Sequence, residues 1–218
     1  MLMPEMIARI ESREPFSWVR YGNGEWDLIL GRGKRTGSGS QWFTHSLREA
    51  MRETVIHHHG KVMARQSEQY LRKVGLWGKS QMWLKASRIE IDWQSGEVLH
   101  RASLAGELGP FVQALNDPLF VGPQWLESLR ISGDVMPIPE QDCWDDVRAI
   151  EVAIRQHGEG RTVCISAGPA AKVLIHRLHG ENMQLIDCGS LWDVYCGKPS
   201  RKYHKAMSSE VIERNLSA

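Results

Sequence analysis

The segment that most constrains the fold is a buried strand that runs directly into a helix. Residues 162–166 form a largely apolar run that predicts a strand, and Pro169–Leu178 predicts a helix with proline in its first turn. Another apolar strand follows at Gln184–Asp187. Alternating strands and helices are typical of a parallel sheet with right-handed crossovers. The sequence therefore predicts an α/β fold, with a Rossmann-like, mostly parallel sheet flanked by helices.

Hydrophobic periodicity predicts the remaining elements. Helices are expected over residues 4–13, 41–57, 68–74, 95–115, 125–129 and 144–156, and a helical turn over 25–30. Further strands are expected over residues 16–20, 62–64, 82–84, 119–121 and 134–138. Residues 31–40 hold three basic side chains among glycines and serines, which is typical of a solvated linker or of a mobile loop that closes over phosphates.

Composition limits the class of protein. At 218 residues with 42% hydrophobic content, the chain is long enough for one well-buried domain, 1–218. Its net charge of +1 does not demand a polyanionic partner. The four cysteines form no CxxC pair, which favours reduced thiols and a cytoplasmic location. We expect no signal peptide and no membrane partner, because no apolar run is long enough.

A charged, glycine-rich motif, Arg20-Tyr21-Gly22-Asn23-Gly24-Glu25, follows the first predicted strand. Glycines allow a sharp turn and a close approach to a ligand, so this position can present Arg20 and Glu25 to one small polar molecule. A carboxylate beside an amide carbonyl suits a hard divalent cation, and an arginine suits a phosphate. A metal-bridged nucleotide would use both, although an ordinary Gly-Asn-Gly turn flanked by a salt bridge also has this pattern.

Other metal patterns in the sequence are weaker. An EF-hand loop starting at Asn23 is excluded, because its sixth and twelfth positions would be Leu28 and Lys34. Three consecutive histidines at 57–59 cannot all face one metal from a helix and suit a helix C-terminus better. Cys188 and Cys196 are too widely spaced for a typical zinc site.

Three predicted strands are followed by similar glycine-containing turn sequences, Gly122-Pro123, Gly168-Pro169 and Asp187-Cys188-Gly189. Ligands of open α/β sheets bind beyond the carboxyl ends of the strands, where helix N-termini attract anions. We therefore expect these ends to share one cleft with Arg20 and Glu25. Each is also ordinary turn chemistry, and Asp187 alternatively caps the residues after it.

The motif at residues 20–25 resembles the Arg-x-Gly-Asp-Gly-Glu motif that opens the GT-D fold of glycosyltransferases, a group first catalogued as a domain of unknown function. Residues 119–123, 138–140, 165–170 and 186–189 resemble the later blocks of that family in the same order. The resemblance covers most of the chain and is weakest in its middle third.

The resemblance implies a domain that binds a nucleotide-sugar donor and a divalent cation, Mn²⁺ or Mg²⁺, and transfers the sugar to an acceptor hydroxyl. Glu25 and Asp187 are then expected to be catalytic, and Glu25 and Asn23 to bind the metal. The residues expected to bind the donor are Arg20, Gly22, Asn23, Gly24, Gly168, Pro169 and Gly189. Because Asn23 replaces the family's aspartate, metal binding should weaken or rely on Glu25, Asp27 and the diphosphate.

The acceptor side is less defined. Trp77 and Trp83, two of nine tryptophans, lie in a Gly/Lys/Ser-rich segment and indicate either core or an exposed stacking surface. Residues 61–93 are therefore a candidate acceptor-side insertion. Near the C-terminus, the basic residues 198–205 are either solvated or reach back over a diphosphate.

Three hypotheses for function remain. The first is a nucleotide-sugar glycosyltransferase acting on a saccharide or glycoprotein. The second moves the same chemistry to modified bases of DNA, with phosphate contacts from Lys61, Arg65, Arg72, Lys73, Lys79, Lys85 and Arg88. The third is a non-catalytic nucleotide-binding module in which Asn23 marks a lost metal site.

Overall fold

A computed structural model describes residues 1–36, 41–115 and 117–217. Within these residues seven strands form one sheet in the order β3-β2-β1-β7-β6-β4-β5, and every neighbouring pair is parallel. The strands are β1 (Phe16–Tyr21), β2 (Val62–Arg65), β3 (Gln94–Ser95), β4 (Leu119–Pro123), β5 (Asp134–Ile138), β6 (Thr162–Ile165) and β7 (Gln184–Asp187). The predicted α/β fold with a parallel sheet is confirmed.

Ten α-helices are described along the chain. They are α1 (Met3–Glu11), α2 (Asn23–Ile29), α3 (His45–Ile56), α4 (Glu68–Lys73), α5 (Trp77–Ala86), α6 (Val98–Ala105), α7 (Gly109–Ala114), α8 (Val147–His157), α9 (Pro169–Leu178) and α10 (Ser209–Leu216). Short 3₁₀ turns lie at Gln124–Ser128, Val194–Cys196 and His204–Ala206.

The sheet separates two hydrophobic cores, and the alternation of β1 shows why. Val19 and Tyr21 pack into one core with residues of α2, α3, α8 and α9. Phe16 and Trp18 point the other way, into a core built with residues of α1, α6 and α7. Because successive side chains of a strand face opposite sides, both faces of the sheet are covered by helices.

Two sequence expectations in the middle of the chain were wrong. Residues 82–84, expected as a strand, lie inside α5, where Ser80 and Leu84 are buried one helical turn apart. A three-residue apolar run does not separate a strand from a buried helix segment. The single helix expected over 95–115 is split into α6 and α7, because Gly106 adopts a left-handed conformation with φ 74° and ends α6. Ser95, the first residue of that expected helix, ends β3 instead.

Other boundaries shifted at the helix starts. The helix expected from residue 41 begins at His45, where the Thr44 side chain accepts a hydrogen bond from the backbone N–H of Leu47. Trp42 lies before that cap and is 48% exposed. The helix expected over 125–129 is a 3₁₀ turn at Gln124–Ser128. Side-chain caps, not apolar periodicity, set the start of α3.

The basic loop expected over 31–40 is described up to Thr36, and residues 37–40 lie outside the described residues. Arg35 pairs with Asp142 at 2.7 Å and lies 4.4 Å over the ring of Trp42. Arg32 pairs with Asp27 at 3.3 Å. Both guanidinium groups therefore already contact carboxylates of the protein.

Residues 61–93 contribute to the main sheet through β2, which pairs with β1 along its whole length. Their position on the acceptor side stays a prediction. Of the helices in the described part of the chain, none combines the length and apolar character that crossing a membrane requires.

Candidate functional site

The carboxyl ends of the central strands open into a cleft of about 1160 Å³. The sequence-predicted residues that line it are Arg20, Gly22, Asn23, Gly24, Glu25, Gly168, Pro169 and Gly189. They come from the ends of β1, β6 and β7, which are close in the sheet order. The structure thus brings the motif at residues 20–25 and the later strand ends at Gly168 and Gly189 to one edge of the sheet. The end of β4 reaches the cleft through Pro123.

Glu25 lies in the first turn of α2, since residues 23 and 24 begin that helix instead of forming a separate turn. Its Oε2 accepts a hydrogen bond of 2.8 Å from the backbone N–H of Gly22, the residue that caps the helix. The backbone N–H of Asn23 donates to Oε1 of Gln66, also at 2.8 Å. These two bonds fix the glycine-rich motif at the end of β1.

A lysine that the sequence analysis did not select lies at the centre of the site. The Lys172 Nζ is 3.1 Å from Oε1 of Glu25 and 2.9 Å from Oδ2 of Asp187. It also donates to the carbonyl oxygen of Gly168 at 3.0 Å. The Lys172 side chain is only 3% exposed, so all three of its donors are used inside the protein.

Asp187, at the end of β7, is fully buried beneath the cleft instead of facing it. Its Oδ2 accepts a hydrogen bond from the backbone N–H of Arg20 at 3.1 Å, and its Oδ1 accepts one from Gly189 at 3.2 Å. Asp187 does not line the cleft, and the catalytic role expected for it stays a prediction. Asp187 joins β1, β7 and Lys172, which is a positioning role.

Arg20 occupies space that a side chain at position 189 would fill. Gly189 has φ 53°, and a Cβ there would lie 2.8 Å from Arg20 Nη1. Only glycine combines this left-handed backbone with so close an approach. The Nε of Arg20 is buried and has no hydrogen-bond partner among the described residues. Gly189 therefore creates the space in which the Arg20 guanidinium lies beside the cleft.

The charges at this edge support one another. Burial alone would raise the pKa of Glu25, but the Lys172 ammonium and the Arg20 guanidinium lower it below its usual value. Burial would lower the pKa of Lys172, yet Asp187 and Glu25 raise it above its usual value. Glu25 and Lys172 therefore each favour the ionised form of the other, as a compensated buried pair.

The residues of this cluster do not fit a divalent cation as they are arranged. Lys172 and the Gly22 N–H take the oxygens of Glu25, and both oxygens of Asp187 accept hydrogen bonds. In residues 1–36, 41–115 and 117–217, no group of three His, Cys, Asp or Glu side chains could hold a metal ion. Asn23 adds only a neutral amide. The metal expected at Glu25 and Asn23 stays a prediction that this donor set does not favour.

The basic C-terminal segment closes one wall of the cleft. Lys198, Arg201, Lys202 and Tyr203 all line it. The Nε of Arg201 donates to the hydroxyl of Ser190 at 3.2 Å. The expectation that this segment reaches back toward the site therefore agrees with its position, whereas a diphosphate contact stays a prediction.

Asp193 lies in the same wall, where its carboxylate accepts a hydrogen bond from the Ser200 hydroxyl. Burial raises the pKa of Asp193 to about 6, an effect that Ser200 and Arg201 offset only in part. Asp193, which has no lysine partner among the described residues, thus has a pKa well above the ordinary value of an aspartate.

The tryptophans of the middle segment are packed instead of presenting free faces. Trp77 and Trp83 are half-buried against one hydrophobic core, and Trp83 lies edge-on to Trp26 at 6.4 Å. The guanidinium of Arg65 lies 4.4 Å over Trp77, and that of Arg72 lies 5.5 Å from the same ring. This arrangement favours the core interpretation. From this segment, Gln66 and Tyr70 reach the cleft.

A sequence signal for Lys172 was present but not used. The neighbouring residues of α9 that surround it in sequence are apolar and buried, namely Ala170, Ala171, Val173, Leu174 and Ile175. A lysine within such a run must be paired if the helix is buried on all sides. Its partners, however, lie on α2 and β7, so the sequence alone does not name them.

Solved structures of other proteins have a fold similar to that of this chain. A glycosyltransferase from Streptococcus sanguinis, described as a DUF1792 protein, superposes with a TM-score of 0.67 at 18% identity, over 99% of this chain and 92% of that one. A second structure, described as the conserved domain of unknown function 1792 with a distinct glycosyltransferase fold, gives 0.65 at 15% identity, over 99% and 88%. The chain shares their fold.

By sequence, the chain is 24% identical to a probable glycosyl transferase, Gly, of Streptococcus gordonii. The match covers 82% of this chain but only 30% of that relative. The chain thus spans less than a third of the length of the curated relative, and no protein-family model matches it.

Proposed function

We propose that this protein is a glycosyltransferase that moves a sugar from a nucleotide-sugar donor to an acceptor hydroxyl. The observation that carries the proposal is the charged cleft at the carboxyl edge of the sheet, in a fold shared with solved glycosyltransferases. Its volume of about 1160 Å³ is large enough for a donor and part of an acceptor.

In this proposal, the donor diphosphate binds between Arg20 and the start of α9. Arg20 offers a guanidinium that suits phosphate oxygens, and Gly168 and Pro169 bring the positive end of the ten-residue helix α9 to the cleft. In the transfer, the acceptor oxygen bonds to the anomeric carbon while the bond to the diphosphate oxygen breaks. The diphosphate leaves with the electron pair, the positive groups stabilise it, and the proton of the acceptor hydroxyl passes to the solvent or to the departing diphosphate.

The acceptor is placed on the other side of the cleft, against Gln66, Tyr70 and the C-terminal wall. A saccharide or glycoprotein acceptor is favoured over DNA, because Arg65 and Arg72 of the basic set lie against Trp77. We also propose a cytoplasmic location, which four free cysteines support.

Incubation with a panel of nucleotide sugars, followed by mass spectrometry of the products, tests the function. Transfer or hydrolysis of one donor is expected for the unaltered protein, and a folded Glu25→Gln variant should lose it. Glu181→Gln is the matched control, because Glu181 likewise pairs with a basic side chain, that of Arg155, but outside the cleft. Donor binding without any turnover would favour the non-catalytic module instead.

A further inference from the structure

Stability alone does not account for a lysine at position 172. Its ammonium is buried with two carboxylates, and replacing such a buried cluster by apolar residues is often neutral or stabilising. The rest of α9 around it is apolar and buried. Lys172 nevertheless lines the cleft, next to Gly168 and Pro169, where the donor diphosphate is proposed to bind.

We propose that Lys172 supplies the positive charge that a divalent cation would otherwise bring to the diphosphate, so that donor binding needs no metal. This inference rests on the proposed function, since it assumes a nucleoside diphosphate in the cleft. It concerns how the site holds that diphosphate, not which sugar is transferred.

The charges of the site leave little attraction for an added dication. Glu25 and Asp187 carry two negative charges, and Lys172 and Arg20 carry two positive ones. A metal near Glu25 would meet an ammonium already 3.1 Å from that carboxylate. Like charges at such distances repel strongly in a poorly solvated site. The carboxylates are therefore committed to the lysine.

The geometry also shows how the ammonium can reach a phosphate. Of the three acceptors of Lys172 Nζ, the carbonyl oxygen of Gly168 is the only uncharged one, at 3.0 Å, and Gly168 itself lines the cleft. A phosphate oxygen that replaces this carbonyl would form a charge-assisted hydrogen bond, which is stronger than the bond it replaces. Glu25 and Asp187 would keep the ammonium in place.

Calorimetric titration of UDP, GDP, CDP and ADP into the unaltered protein is the first measurement, made once with EDTA and once with Mn²⁺. We expect one of these diphosphates to bind with equal affinity in both. Titration of Mn²⁺ alone, followed by electron paramagnetic resonance, should show no bound ion. These measurements need no variant, so they decide the matter even if substitutions impair folding.

Lys172→Gln removes the charge and keeps a polar side chain. We expect diphosphate affinity in EDTA to fall about tenfold or more, as expected for loss of a hydrogen bond from a charged group. Lys61→Gln is the matched control, because Lys61 contacts His176 near the other end of α9 and should leave the affinity unchanged. Circular dichroism establishes that both variants are folded.

The outcomes separate this inference from the proposed function. Diphosphate binding that appears only with Mn²⁺, Mn²⁺ bound by the protein alone, or unchanged affinity in folded Lys172→Gln would each overturn the role of Lys172 and leave the glycosyltransferase standing. If none of the four diphosphates binds with or without Mn²⁺, both proposals fail.

Discussion

A lysine lies near each end of helix α9, and the two lysines have different partners. Near its start, at the carboxyl edge of the sheet, Lys172 lies between the carboxylates of Glu25 and Asp187. Toward its other end, Lys61, which immediately precedes β2, contacts Nδ1 of His176 at 3.2 Å and donates to the carbonyl of His57. One cation therefore has charged partners and the other has neutral ones.

The pKa values show what this difference means. Burial lowers the pKa of Lys61 to about 8, because nothing compensates the lost hydration. Burial acts on Lys172 in the same direction, but Asp187 and Glu25 more than reverse it. Partners, rather than depth alone, decide whether a buried cation is kept charged. At the carboxyl edge of the sheet, ion pairs thus stabilise the charged form of the buried lysine. At the opposite edge, where β2 begins, the neighbouring lysine has a lowered pKa.

The largest expected effect comes from removing the compensated cation. Lys172→Met removes the ammonium that contacts both buried carboxylates and leaves only Arg20 as a cation beside them, which should cost about 3–5 kcal/mol of unfolding free energy. Lys61→Met removes a cation that has no anionic partner in the contacts described, so it should cost far less. Urea unfolding of both variants at pH 7 measures the difference. Equal losses would break the comparison between the two ends.

A smaller effect is expected at Asp193, an anion at the carboxyl edge without a lysine partner. Because folding raises its pKa to about 6, the stability it contributes is present below pH 4 and is lost as pH rises through 6. Asp193→Asn does not titrate, and its amide oxygen still accepts the bond from Ser200. The variant should therefore be about 1–3 kcal/mol more stable than the parent at pH 7.

Thermal melts of Asp193→Asn and the parent from pH 4 to pH 8 test this expectation. The two melting temperatures should converge near pH 4, separate as pH rises from 4 to 6, and keep a constant gap above pH 6. A constant gap across the whole range would mean that Asp193 does not titrate there, and that the absence of a lysine partner is not what matters.

The smallest effect is the titration of Lys61. Folding lowers its pKa to about 8, so the stability it contributes is present above its unfolded pKa and is lost as pH falls through 8. The melting temperature of the parent, measured against Lys61→Met, should therefore rise from pH 7 to pH 10. A flat difference would show that water screens Lys61 well enough to keep its ordinary pKa.

The sequence predicted much of the fold because its strands and helices alternate over the whole chain. The secondary structure of short segments was predicted less well, because a short apolar run is compatible with either a strand or a buried helix. Residues 82–84 are the example. At the site, glycines and charges at strand ends placed Arg20, Glu25 and Gly189 correctly on the cleft. Lys172 was not predicted as a site residue because its role depends on partners from α2 and β7, which only the folded chain brings together.

The strand order has a consequence for how the protein is made. The central pair of the sheet joins β1 to β7, and Arg20 and Asp187, which are hydrogen-bonded there, are 167 residues apart. During synthesis, β1 leaves the ribosome long before its neighbour exists, and contacts of such separation form slowly. The edge of β1 that pairs with β7 therefore stays exposed in the nascent chain, and the charged cluster is completed only after Asp187 has been translated.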